Sequence, residues 1–146
     1  MNPEQIAKAD TEHAHQAAYF CWIQQTGAKE IDPRLKFAFA VPNGGLRNKV
    51  TASRLRAEGV KPGVPDVFIP ICTWQRDSLE SCWDIKHCGL WLEFKKPSLE
   101  KSMKGDLKDP DQINFRDYAI SQNYQHFVPF TYLQAIEYTL KYLSKT

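Results

Sequence analysis

Two acids and a lysine stand where an apolar core is expected. Asp66 opens the run Val67 to Ile71 in "KPGVPDVFIPI", and Glu93 and Lys95 interrupt the apolar stretch "GLWLEFKKP" that begins at Gly89. Charges at such positions cost several kcal/mol, on the order of magnitude known for buried ions, unless they are paired or hold a cation. In an extended strand Leu90, Leu92 and Phe94 share one face, while Trp91, Glu93 and Lys95 share the other. Strands that follow one another in sequence tend to pair, and such pairing lets Asp66 and Glu93 converge. Two carboxylates and an ammonium in one pocket suit a hard divalent cation bound through oxygen, with the lysine holding or activating a water against an anionic substrate such as a phosphodiester. Each residue alone also has a structural use: Asp66 as a turn cap after Pro65, Glu93 and Lys95 as an ion pair on an exposed strand.

The elements that must position these groups follow from periodicity and turn chemistry. Gln16, Tyr19, Phe20 and Ile23 recur at helical spacing, which predicts a helix over about Asp10 to Gln25, ending before Gly27, with Glu12 one turn ahead of Gln16. "LKFAFAV" reads as a strand stopped by the Pro42-Asn43-Gly44-Gly45 turn. A helix over Lys49 to Ala57 and the strands "DVFIPI" and "GLWLEFK" come next, the strands separated by an irregular stretch from Cys72 to Cys88. Asp109, Pro110 and Gln112 form the start of another helix, as N-cap, first residue and capping-box glutamine. "YQHFVPF" supplies a strand, and Thr131 with Gln134 caps a last helix striped by Leu133, Ile136, Leu140 and Leu143. The order is that of an α/β fold with a central mixed sheet flanked by helices.

The 146 residues suit one domain, residues 1–146, and a composition of 42% hydrophobic and 25% charged residues is globular. No apolar run approaches the roughly 18 residues of a membrane span, and the polar start lacks a secretory h-region, so an intracellular, cytoplasmic setting without a membrane role is expected. Cys21, Cys72, Cys82 and Cys88 contain no C-x-x-C pair; free thiols are the expectation, and Cys72, Cys82, His87 and Cys88 offer poor spacing for zinc. Net charge is only +2. Basic residues nevertheless cluster between Arg47 and Lys61 and between Lys95 and Lys108, as phosphate-tracking or merely solvated faces do.

The conjunction of Pro65-Asp66, a strand, and Glu93-Phe94-Lys95 within the next strand resembles the signature of the PD-(D/E)xK nucleases. Taken with "VPNGGLRN", "RLRAEGVKPGVPDVFIP", "WLEFKKP" and "DPDQINF" in that order, the chain resembles the VRR-NUC branch of that superfamily from about Glu12 to Leu143. The resemblance implies a restriction-endonuclease-like fold and a magnesium- or manganese-dependent endonuclease needing no small-molecule cofactor. It implies Asp66, Glu93 and the Phe94 carbonyl as metal ligands, Glu12 as a further acid at the metal directly or through water, Lys95 as the residue that orients the attacking water, and Gln112 beside them. Glu4 is the weaker choice for the helix acid.

Asn43, Gly44, Gly45 and Arg47 match the turn after the first strand, where small residues let N–H groups approach a phosphate. Arg54, Arg56, Lys61 and Lys96 are phosphate-positioning candidates. Stand-alone relatives are similar to dimeric Holliday-junction resolvases of bacterial cells or phage-infected hosts, so branched DNA and a homodimer are expected, with flap cleavage or nicking as the alternative. A non-catalytic DNA-binding accessory protein on the same fold is the rival from another class. Trp22, Trp74, Trp83 and Trp91 exceed what one small core readily buries, as a dimer surface would. The long stretches 72–88 and 98–108 depart from the family pattern, the second as a lysine-rich flap or a solvated loop.

Overall fold

A computed structural model describes residues 1–42, 49–104 and 106–144. Asn43, Gly44, Gly45 and Arg47 lie outside the described residues. The helices are α1 (Pro3–Ala7), α2 (Glu12–Trp22), α3 (Lys49–Ala57), α4 (Glu100–Met103), α5 (Pro110–Ser121) and α6 (Tyr132–Tyr142). The strands are β1 (Phe39–Ala40), β2 (Val67–Ile69), β3 (Thr73–Arg76), β4 (Trp83–His87), β5 (Leu90–Leu92) and β6 (Gln125–Phe127). Four strands form a mixed sheet in the order β1-β2-β5-β6, antiparallel except for the β5–β6 pair.

The period-two alternation of the central strands decides which layer covers which face. Val67 and Ile69 of β2 pair with Leu92 and Leu90 of β5, and all four are fully buried with Phe94 in one cluster. Tyr19 and Ile23 from the first long helix and Ala135 and Tyr142 from α6 complete that cluster. Polar groups within it are joined: the Tyr19 and Thr139 hydroxyls meet at 2.7 Å and the Tyr142 hydroxyl donates to the Ile71 carbonyl, which satisfies groups that burial would otherwise penalise. The opposite face of the sheet carries Phe39, Phe68 and Trp91 in register across β1, β2 and β5. Here α5 lies over the sheet, with Phe115 edge-on to Trp91 at 5.3 Å.

Several elements differ from the sequence reading. The first long helix does not stop before Gly27: α2 widens into a π-helical run, Ile23–Ile31. Gly27 is there for packing, since a Cβ would fall 3.0 Å from the Trp22 ring and 3.3 Å from Leu35. The expected strand "LKFAFAV" is mostly a 3-10 turn, Pro33–Phe37, because Asp32 caps it by accepting the Arg34 N–H and Pro33 fixes its first residue. Of that stretch, Phe39 and Ala40 pair as a strand.

Residues 72–88 are not irregular but form the antiparallel β3–β4 hairpin. Its turn is held by Asp77, which accepts from the Ser81 N–H at 2.7 Å and the Ser81 hydroxyl at 2.6 Å. Within 98–108, Met103 and Leu107 bury with Phe130 in a small second core, while Lys101, Lys104 and Lys108 are exposed. The stripe of α6 is centred on Ala135, Thr139 and Tyr142, and Leu133 is exposed. Gln134 accepts from the Phe130 N–H and donates to Glu100, so only the Thr131 half of the expected capping box forms.

Candidate active site

The β2–β5 register pairs Val67 with Leu92, which sets Asp66 and Glu93 side by side one step beyond the ladder. Asp66 accepts the Phe94 N–H at 2.8 Å. The Glu93 and Lys95 N–H groups bond instead to the Phe127 and Pro129 carbonyls of the neighbouring segment. Phe94 therefore turns its peptide edge toward Asp66 while its ring fills the core on the other face, as alternation requires. Glu93, only 4% exposed, shares one oxygen, Oε1, between Lys95 Nζ at 2.8 Å and Gln112 Nε2 at 2.6 Å. Lys95 Nζ also donates to Gln112 Oε1 at 2.9 Å, which closes a three-membered ring of side chains.

Gln112 reaches this ring because α5 starts beside it. Asp109 caps the helix by accepting the Asp111 and Gln112 N–H groups, and Pro110 occupies the first position. The Gln112 side chain does not turn back to the cap; it faces the sheet. Gly63 allows the approach, for a Cβ on it would lie 2.3 Å from the Asp111 carbonyl oxygen and 2.9 Å from the Gln112 nitrogen, and its φ is +82°. The sequence reading passed over Gly63, whose signal was a glycine directly after Pro62 in the segment leading to Asp66.

These groups line an open cleft of about 550 Å³ between α3, the 60–64 segment and α5. Glu12, Arg56 and Lys61 line it with Asp66, Glu93, Lys95 and Gln112. Arg54 and Lys96 are exposed and lie outside this lining, and Arg54 pairs with Glu58 at 2.9 Å. Cys82 bonds to Asp77 in the hairpin turn while Cys72 bonds to the Cys88 carbonyl, so the thiols are spent on separate contacts.

Burial pushes the Glu93 carboxyl up to about 7, with the Asp66 charge adding to it and the Lys95 ammonium opposing it. Burial likewise raises Asp66 to about 6, opposed by the Phe94 N–H, with Glu12 raising it further. Lys95 thus offsets only part of the strain between these neighbouring acids, and Arg56 and Lys61 bring further positive charge to the wall of the cleft. Clustered hard oxygen donors of this kind fit a divalent cation of the magnesium class. Asp66 and Glu93 would hold it, with Glu12 across the cleft. Among the described residues no group of three or more His, Cys, Asp and Glu side chains is placed to hold a metal ion. Glu12 lines the same cleft, and its charge raises both carboxyls.

No protein-family model and no curated protein matches the chain. A solved structure described as a VRR_NUC domain protein superposes on it with a TM-score of 0.66 at 20% sequence identity, over 92% of this chain and 88% of that one. The chain has that protein's fold. Among the described residues no helix is long and apolar enough to cross a membrane.

Proposed function

We propose that this chain is a VRR-NUC-type nuclease that hydrolyses DNA phosphodiester bonds with magnesium or manganese. The observation that carries this reading is the ring of Glu93, Lys95 and Gln112 set beside Asp66, in a cleft with two cations at its wall. Purely structural use explains a buried ion pair but not a second, half-buried acid beside it, since two like charges raise each other's cost.

A bound divalent ion would supply charge neutralisation and an acidified water. The protein's own residues do the rest. Asp66 and Glu93 present oxygens from adjacent strands of a rigid sheet, and the Phe94 carbonyl is the backbone donor between them. An ammonium has three N–H groups, and Lys95 spends two on Glu93 and Gln112. The third remains to orient the attacking water or a phosphate oxygen. Gln112 fixes both the lysine and the carboxylate, so neither needs to reorganise as charge develops. Arg56 and Lys61 hold flanking phosphates, with Arg54 and Lys96 as outer contacts that position without reading sequence.

We place the activity on branched DNA in the cytoplasm, by a two-fold homodimer. Support for the dimer comes from the β3–β4 hairpin: Trp74 pairs with Ile85 and Arg76 with Trp83, putting all four on one face, with Trp74 and Trp83 more than half exposed. Incubating the purified chain with end-labelled linear, flap and four-way-junction DNA, with magnesium, manganese or chelator, tests the proposal. Cleavage that needs the metal and favours a branched substrate supports it. No cleavage of any substrate with either metal refutes it.

A further inference from the structure

A second cleft lies on the same face of the sheet as the carboxylates, and its chemistry is of another kind. It holds about 310 Å³ and is lined by Trp91, Phe115, Tyr118, Ala119, Gln122 and Tyr124. That volume is at the lower end of the roughly 300–1,000 Å³ of small-molecule sites. Trp91 sits two residues before Glu93 on the same strand face, which puts the two side chains about 7 Å apart along the chain. The helix that brings Gln112 onto Glu93 carries Phe115 onto Trp91 one turn later and Tyr118 one turn beyond that. The aromatic cleft and the carboxylate cleft are therefore built side by side on the same two elements, β5 and α5, without sharing a lining residue.

The lining contains no Lys, Arg, Asp or Glu, so it offers no charge to pair with a phosphate. Four rings and an amide suit a flat, π-faced group with polar edges. Tyr118 is 63% exposed and leaves its ring open to such a group. Trp91 already lies against the Phe68 ring, 4.3 Å away and tilted by 32°. In a nucleic acid the group of this chemistry nearest to a phosphate is the base, and a base paired within a duplex is not available to a side cleft.

We propose that this cleft receives an unpaired nucleobase next to the phosphodiester held at Asp66 and Glu93, which makes the preferred substrate DNA with unpaired nucleotides beside the cut. The proposal rests on the nuclease reading for the position of the phosphate. The probe is a flap duplex with 2-aminopurine at the first unpaired position, compared with the same duplex carrying an abasic residue there, both bound in calcium without turnover. Stacking on aromatic side chains contributes enough for about a ten-fold preference for the base-containing DNA, together with quenching of the 2-aminopurine. Tyr118→Ala should bring that preference to within about two-fold, and Tyr118→Phe should retain it, with each variant's fold checked by thermal melting. Equal binding of the two duplexes by the wild type, or an undiminished preference in Tyr118→Ala, overturns the proposal. A base preference in a protein that never cuts DNA would retain this site and remove the nuclease, whereas metal-dependent cutting without a base preference would do the reverse. Absence of any DNA binding removes both.

Discussion

Replacing Glu93 by Gln should stabilise the metal-free protein at pH 8 and leave it nearly unchanged at pH 5. The Glu93 carboxyl is raised from 4.5 to about 7. Below pH 4.5 the folded and unfolded chains both hold the proton. Between 4.5 and about 7 only the folded chain holds it, so stability falls as the pH rises; above about 7 the fold buries the anion and the whole cost stands. At about 1.4 kcal/mol per pH unit, that gap gives a cost of about 3 kcal/mol at pH 8 and under about 1 kcal/mol at pH 5. Glutamine keeps an oxygen for both Lys95 and Gln112, so the ring that Oε1 now supports persists. Urea unfolding in chelator at both pH values measures the difference. A Glu93→Gln protein no more stable than the wild type at pH 8 would refute the reasoning, because Glu93 would then be a net stabilising ion pair.

Manganese binding, followed by calorimetry in two buffers, should release protons and tighten from pH 5.5 to pH 8, because Asp66 at about 6 and Glu93 at about 7 must both ionise to act as ligands. Gly63→Ala should cost about 1–3 kcal/mol through its positive φ and the contact with Asp111, and should slow cleavage by displacing Gln112. Cleavage assays of Gln112→Ala with and without Gly63→Ala check that route, since the second change should add little to the first. Neutralising Arg56 and Lys61 together should weaken binding to all DNA sequences alike and lower the log–log salt slope by about two, as fluorescence anisotropy across a salt series would show.

The pairing of Asp66 with Glu93 was legible because it needed only a two-residue alternation and one antiparallel neighbour. The flanking helices α3, α5 and α6 were legible for similar local reasons: apolar spacing and a cap, such as Asp109 with Pro110. Gln112 was ambiguous, since a capping box and a catalytic cleft ask for the same residue at the same position, and only the packing of α5 on the sheet decides where its amide points. Gly27 and Gly63 show a related limit. Each admits a neighbour that only the fold brings close, a Trp22 ring and Leu35 in one case and the first turn of α5 in the other, while the sequence shows only a glycine. The β3–β4 hairpin was hidden because its strands are short and face solvent, so the alternation of Trp83 and Ile85 with Asp84 and Lys86 marks no core face. The aromatic cleft was hidden because Trp91 and Tyr118 meet only through the packing of α5 on β5.

The account stands most directly on whether the Asp66–Glu93 pair cuts DNA through a divalent ion. The measurement is the initial cleavage rate of a labelled flap duplex in manganese by the wild type and by Asp66→Asn, a variant that removes one ligand charge and keeps the oxygen that accepts the Phe94 N–H. With both proteins shown to be folded, the wild type should cut only when manganese is present, and Asp66→Asn should lose at least about a hundred-fold in rate, on the scale of removing one major electrostatic contribution. Equal rates in the two proteins, or wild-type cutting that persists in chelator, would contradict it.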